Sequence, residues 1–210
     1  MATVLTRVCI GLLIAFWVLI TIAGVLTPDY LQYRDYVSAL AAYGSDVASL
    51  GILAILCAAS AHAVAAVVLA PWDRLVAICV AIASMSLLAV ATFRINCPLG
   101  AGNCLNQGTP SVSAMVHGGG VVVYTLAIVT AMIVAGVRSL LGHRRSIVGA
   151  PGLVAAVLFV VAFGGLWAPS PGLPQRFWVF LGQVWLVMAL VDAHDQRMRE
   201  EADALARLHR

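Results

Sequence analysis

Asp35, Ser38 and His117 are the residues of this chain whose types could combine into a reaction centre. A carboxylate polarises an imidazole, and the imidazole takes the proton of a hydroxyl; this is the apparatus of acyl transfer. Asp35 and Ser38 stand at i and i+3, so one helical turn would place them on one face. His117 lies far along the chain and has to be brought to them by the fold. The same groups also make an ordinary hydrogen-bond network closing the end of a helical bundle. Nothing in the spacing alone decides between the two, because catalysis demands a mutual geometry that spacing does not fix. In either case His117 is expected within hydrogen-bond reach of Asp35, Ser38 or Arg176, directly or through water, since an unpaired polar group near a membrane core is costly.

Arg94 and Arg176 sit in segments expected at the same end of the molecule and join His117 as candidate ligand contacts. Arg176 could grip a lipid phosphate in two-pronged fashion, pair with Asp35, or extend its charge to the membrane interface. The other histidine inside an apolar run is His62, within Ala58-Ala59-Ser60-Ala61-His62-Ala63. It reads as a neutral imidazole bonded to a neighbouring helix's carbonyl or hydroxyl, or as a proton relay, although no acid lies at its depth. A haem would need both histidines at like depth. At 1.5 Å per residue, His62 lies roughly 22 Å into its helix and His117 roughly 5 Å into its own, both from the same end. No haem or other cofactor is therefore expected. No metal is expected either, because His-x-x-x-His and Glu-x-x-His spacings are absent.

The elements that must hold these groups follow from composition. The 210 residues are 62% hydrophobic and 10% charged, with a mean hydropathy of +1.00. Soluble domains carry about 25% charged residues, so a water-soluble globule is excluded, and so is a disordered chain. Twelve basic residues against nine acids, scattered along the chain, make no nucleic-acid surface. A membrane-crossing helix needs about 20 apolar residues. Six such runs are present, at about Val8–Thr27, Val47–Ala70, Leu75–Phe93, Ala114–Val137, Ile147–Trp167 and Phe177–Val191, of which only the last is short. The expected fold is thus an all-α membrane protein, a six-transmembrane-helix bundle over residues 1–192, with a helical cytoplasmic tail over 193–210. The triple glycine Gly118-Gly119-Gly120 reads as a close helix contact rather than a phosphate loop.

Six spans put both termini on one side. That side holds nine of the twelve basic residues, all of them arginine; the other holds Arg34, Arg94 and Arg176. The imbalance predicts cytoplasmic termini and a multi-pass protein of a bacterial plasma (inner) membrane. Trp72, Trp167 and Trp178 fall where interfacial aromatic belts are expected. Cys97 and Cys104 then lie in an outward loop and are expected to form a disulfide, with Pro98, Gly100 and Gly102 allowing the tight return. Cys9, Cys57 and Cys79 read as small buried hydrophobes.

Three stretches carry a family resemblance. They are Asp35-Tyr36-Val37-Ser38-Ala39-Leu40 before the second span, Phe93 through Pro98 followed by His117, and Gly172-Leu173 with Gln175-Arg176-Phe177 before the sixth. In this order, on six spans, they resemble the membrane family called domain of unknown function 998, over nearly all of the chain except the tail. Ala39 and Ala41 stand where that family carries Asp and Gly, and Pro98 stands later than the family's Phe-Pro. The resemblance implies the six-helix fold and supplies no reaction.

Three functions fit these readings. The first is a non-enzymatic module binding a lipid or small amphiphile in an outer vestibule, or serving as accessory subunit of a membrane complex. The second is an outer-face hydrolase or lipid-modifying enzyme using Asp35, Ser38 and His117. The third is a small transporter. The expected partners are membrane lipids and a membrane protein or second copy of the chain, with no nucleic acid.

Overall fold

A computed structural model describes residues 2–96, 111–141, 148–167 and 170–208. Among these the regular structure is helical: α1 (Ala2–Leu26), α2 (Ala48–Leu69), α3 (Arg74–Thr92), α4 (Val112–Leu140), α5 (Gly149–Gly164) and α6 (Gly172–Leu208). A short 3-10 helix, Val37–Ala41, lies between α1 and α2, and another, Gly165–Trp167, follows α5. In lipid every backbone N–H and C=O must be paired within the protein, which leaves the helix as the form for these apolar runs. Helices α1 to α4 and α6 are long and apolar enough to cross a membrane; α5, at 16 residues, is shorter.

The apolar runs place every helix, and one length differs from the expected one. The short sixth apolar run is part of a longer helix that continues through the tail as expected: α6 runs 37 residues, from Gly172 to Leu208, without a break at 192. That is about 55 Å of helix against a hydrocarbon core of about 30 Å. Apolarity reports the part of a helix that lies in lipid, whereas the helix itself also includes a Pro174-containing first turn and a charged end. The short helix is α5, whose expected last turn tightens into the 3-10 turn at Gly165–Trp167.

Helices consecutive in sequence are neighbours in space, and α6 returns to touch α1 and α2, closing the bundle. Small residues bring the backbones close. Ala54, Ala58, Ala61 and Ala65 of α2 are all buried; the Cys9 thiol of α1 reaches the Ala61 carbonyl at 3.3 Å and the Ser84 hydroxyl of α3 donates to the Ala59 carbonyl at 2.8 Å. Of the three consecutive glycines only Gly120 makes a helix contact: a Cβ there would meet Val90 Cγ2 at 3.0 Å, while Gly118 and Gly119 have open space. At the opposite end of the bundle from His117, Asp73 caps α3 by accepting from the Leu75 and Val76 amides and pairs with Arg138 of α4.

Candidate functional site

The end of the bundle where α2, α4 and α6 begin is built on segment 27–47. Residues 30–36 of it are clamped onto the first turn of α6. The Gly172 amide donates to the Arg34 carbonyl at 3.2 Å and the Leu173 amide to the Tyr33 carbonyl at 3.1 Å. A Cβ on Gly172 would lie 2.4 Å from the Gln32 carbonyl oxygen and 2.6 Å from that of Asp35, so only glycine permits the approach. Arg176 completes the clamp. Its Nη1 donates to the carbonyls of Gln32, Asp35 and Gly172, and its Nη2 to the Tyr30 hydroxyl at 2.5 Å. Tyr30 in turn donates to the Tyr36 carbonyl at 3.2 Å. Burial pushes the Tyr30 phenol up, against the opposing pull of Arg176, so it stays a neutral donor.

Arg176 is therefore spent on the protein's own acceptors. Its stem also edges a shallow lipid-side groove with Trp17, Leu173, Phe177 and Phe180. Gln175, its neighbour, accepts the Val37 amide at 2.5 Å and so fixes the start of the 3-10 helix. Tyr36 ties the same loop to α5's end by donating to the Leu166 carbonyl at 2.6 Å.

Asp35 is 1% exposed, but its carboxylate is already engaged. It accepts from the Leu31 amide at 2.7 Å and from Arg34 at 2.9 and 3.1 Å. The i, i+3 spacing does not put Asp35 and Ser38 on one helical face, because the 3-10 helix begins only at Val37 and Tyr36 is extended, with ψ 141°. Ser38 lies on that helix.

His117 sits on α4 and uses Nδ1 to reach the Phe93 carbonyl, at the end of α3, at 2.9 Å. A carbonyl only accepts, so Nδ1 carries the proton and Nε2 is left as an acceptor. No direct hydrogen bond joins His117 to Asp35, Ser38 or Arg176 among the described residues. Close by, the Arg94 guanidinium stacks over the Tyr43 ring at 3.9 Å, and the Tyr43 amide donates to the Ile95 carbonyl at 3.0 Å. Arg94 thus braces the junction between segment 27–47 and the end of α3. Cys97 and Cys104 lie outside the described residues.

Ser38 and His117 do meet at one place: both line a cavity of about 50 Å³ running inward between the helices. Its apolar wall includes Phe16, Ile55, Leu87, Val121 and Val179; its polar groups are Ser38, Gln175, His117, Gln183, Tyr124 and His62, and Trp178 also lines it. His62 is fully buried, bonded through Nδ1 to the Ala58 carbonyl at 2.8 Å and facing the Tyr124 hydroxyl at 3.4 Å through Nε2. The two histidines, separated in depth along their helices, thus line one elongated space.

Two groups of this site, Tyr124 and Gln183, are not singled out by the sequence, and two others are given different roles there: Trp178 as an interfacial residue and Gln175 as part of a family stretch. Gln183 carries a signal that was available, an amide in the middle of an apolar run. Trp178 does not belong to an interfacial belt. It is 4% exposed and packs edge-on against Tyr124 at 5.2 Å and beside Phe159 at 5.5 Å. Trp72 is likewise buried, at 7%. Among the described residues no three His, Cys, Asp or Glu side chains group as a metal set.

A family model described as protein of unknown function (DUF998) matches residues 9–192. No curated protein and no solved structure matches the chain.

Proposed function

The chain belongs to the DUF998 family, and from the site its helices build we propose that it is a multi-pass protein of the plasma membrane that binds a lipid or small amphiphile between its helices. The observation that carries this reading is the cavity: an apolar, concave space with a few polar groups converging on it, the usual make-up of a small-molecule site. Its position supports entry from the membrane, since its walls are helices whose other faces are apolar and exposed. The arginine imbalance supports cytoplasmic termini, which puts the Ser38 and His117 end of the cavity outside.

The reading is tested by photolabelling the purified protein in lipid nanodiscs with a monoacylglycerol carrying a diazirine in its tail. Labels are expected on the peptides carrying Phe16, Ile55, Leu87, Val121 or Val179. Labels confined to lipid-exposed positions such as Val18, Val67 and Ile78 would contradict it.

A second reading, an outer-face hydrolase, has one observation in its favour. Ser38 and His117 line the same cavity, and the proton held on His117 Nδ1 by Phe93 leaves Nε2 as a base. In that reading the Phe93 carbonyl, rather than Asp35, orients the imidazole. A fluorophosphonate probe should then label Ser38 and fail on Ser38→Ala; no labelling of the native protein retires the hydrolase.

A further inference from the structure

If the cavity holds an amphiphile, as proposed above, its lining restricts the chemistry of the head. We infer that the occupant has an uncharged head that presents oxygen acceptors and a hydroxyl, the chemistry shared by glycerol esters and quinols, and is neither a phospholipid nor a fatty-acid anion.

The first support is charge. No arginine, aspartate or glutamate is among the residues lining the cavity. A charged head moved there from water would lose its hydration with no counter-ion to offset the loss. Arg176, on the same helix as Gln175 and Trp178, does not line the cavity and has Nη1 on three carbonyls and Nη2 on the Tyr30 hydroxyl.

The second support is the set of polar atoms left over. Gln183 and Trp178 are each 4% exposed, and among the described residues Gln183 Nε2 and Trp178 Nε1 have no hydrogen-bond partner. The orientation of the Gln183 amide is fixed by chemistry. Trp17 Nε1 is a donor only and sits 2.7 Å from Gln183 Oε1, so the NH2 group is the one left open. Buried donors of this kind are nearly always satisfied, and here both belong to residues that line the cavity. His117 adds the complementary group, an Nε2 that accepts. The site therefore offers two donors and one acceptor, which a head with carbonyl and hydroxyl oxygens satisfies.

The third support is spacing and size. Trp178 and Gln183 lie five residues apart on α6, roughly 7.5 Å along its axis, so the acceptors must be spread along the cavity rather than gathered on one small group. A volume of about 50 Å³ compares with roughly 10–15 Å³ needed for one water. It takes a small head and its first carbons, with the rest of the tail lying among the helices.

The test uses three photolabels with one diazirine tail and different heads, a glycerol ester, a carboxylate and no head, on the full chain in nanodiscs. The glycerol ester is expected to label the cavity peptides about fivefold more than the other two, the effect of one hydrogen bond. Trp178→Phe should reduce that preference and leave labelling by the headless probe unchanged. Gln183→Leu serves the same purpose should Trp178→Phe fail to fold. Competition by unlabelled monoolein or by a short-chain quinol assigns the source. Equal labelling by all three heads, or a preference for the carboxylate, overturns the inference while the amphiphile reading stands. Absence of cavity labelling by every probe overturns both.

Discussion

His117 donates from Nδ1 to the carbonyl oxygen of Phe93, 2.9 Å away, and so caps the last turn of α3 from the side of α4. The end of a helix leaves carbonyls without partners, and this one is met by a side chain of the next helix. The same bond decides the tautomer, and with it the acceptor that His117 offers to the cavity. Substitution can separate the two roles. Asn carries its NH2 near the place of Nδ1, while Gln carries it near Nε2. His117→Asn is expected to keep most of the stability, and His117→Gln to lose about 1 kcal/mol, in thermal unfolding in detergent.

Gly172 is the point where α6 meets residues 32–35. Gly172→Ala is expected to lower stability by about 2 to 3 kcal/mol, because the new methyl meets backbone oxygens that cannot turn aside. Gly118→Ala, with nothing within 4 Å of the added carbon, is expected to leave the unfolding temperature unchanged or slightly raised. Equal effects of the two would show that the clamp is not closed in solution.

Arg176 uses two different nitrogens on acceptors from three places in the chain. A lysine ammonium is a single point and cannot meet that spread. Arg176→Lys should therefore destabilise nearly as much as Arg176→Ala, by about 2 kcal/mol. Full stability of the lysine variant would mean that Arg176 serves only as an interfacial charge.

Asp73 divides its carboxylate. Oδ1 accepts from the Leu75 and Val76 amides, at 3.0 and 3.2 Å, and Oδ2 pairs with Arg138. Asp73→Asn keeps an oxygen for the cap and loses the ion pair; Asp73→Ala loses both. The expected costs are below 1 kcal/mol for the first, since the Arg138 side chain is 43% exposed, and about 2 kcal/mol for the second.

The helices were legible because lipid leaves the backbone little choice, and a run such as 48–69 has one stable form. The end of α5 was less so, whereas that of α6 was legible. Hydropathy falls at Asp192, yet the Asp195/Arg199 and Asp203/Arg207 spacings extend the helix into water. At the site, the three family stretches marked the right region for a reason now visible. The first and third are joined by Arg176, Gln175 and Gly172, and the second is joined within itself by His117 and Phe93. What spacing could not give is where each side chain spends its hydrogen bonds. Asp35 turned to the Leu31 amide and Arg34 of its own loop, and Trp178 turned inward onto Tyr124 and Phe159, contacts remote in sequence. The cavity itself is a property of six packed elements and has no local signature.

Sidedness follows from the arginine count alone and is tested separately. In a background without native cysteines, Ser170→Cys should react with an impermeant maleimide added to intact cells. Asp203→Cys should react only after the membrane is opened. Both positions are exposed in the protein. Labelling of both from the same side would contradict six crossings.

The central claim is that a ligand occupies the space between α2, α4 and α6. The most direct measurement is a high-resolution density map of the full chain in lipid nanodiscs supplemented with monoolein. The account predicts elongated density between the helices, with its head within hydrogen-bond distance of Trp178 Nε1 and Gln183 Nε2. A space filled by protein side chains, or by isolated waters with no continuous density, would contradict it.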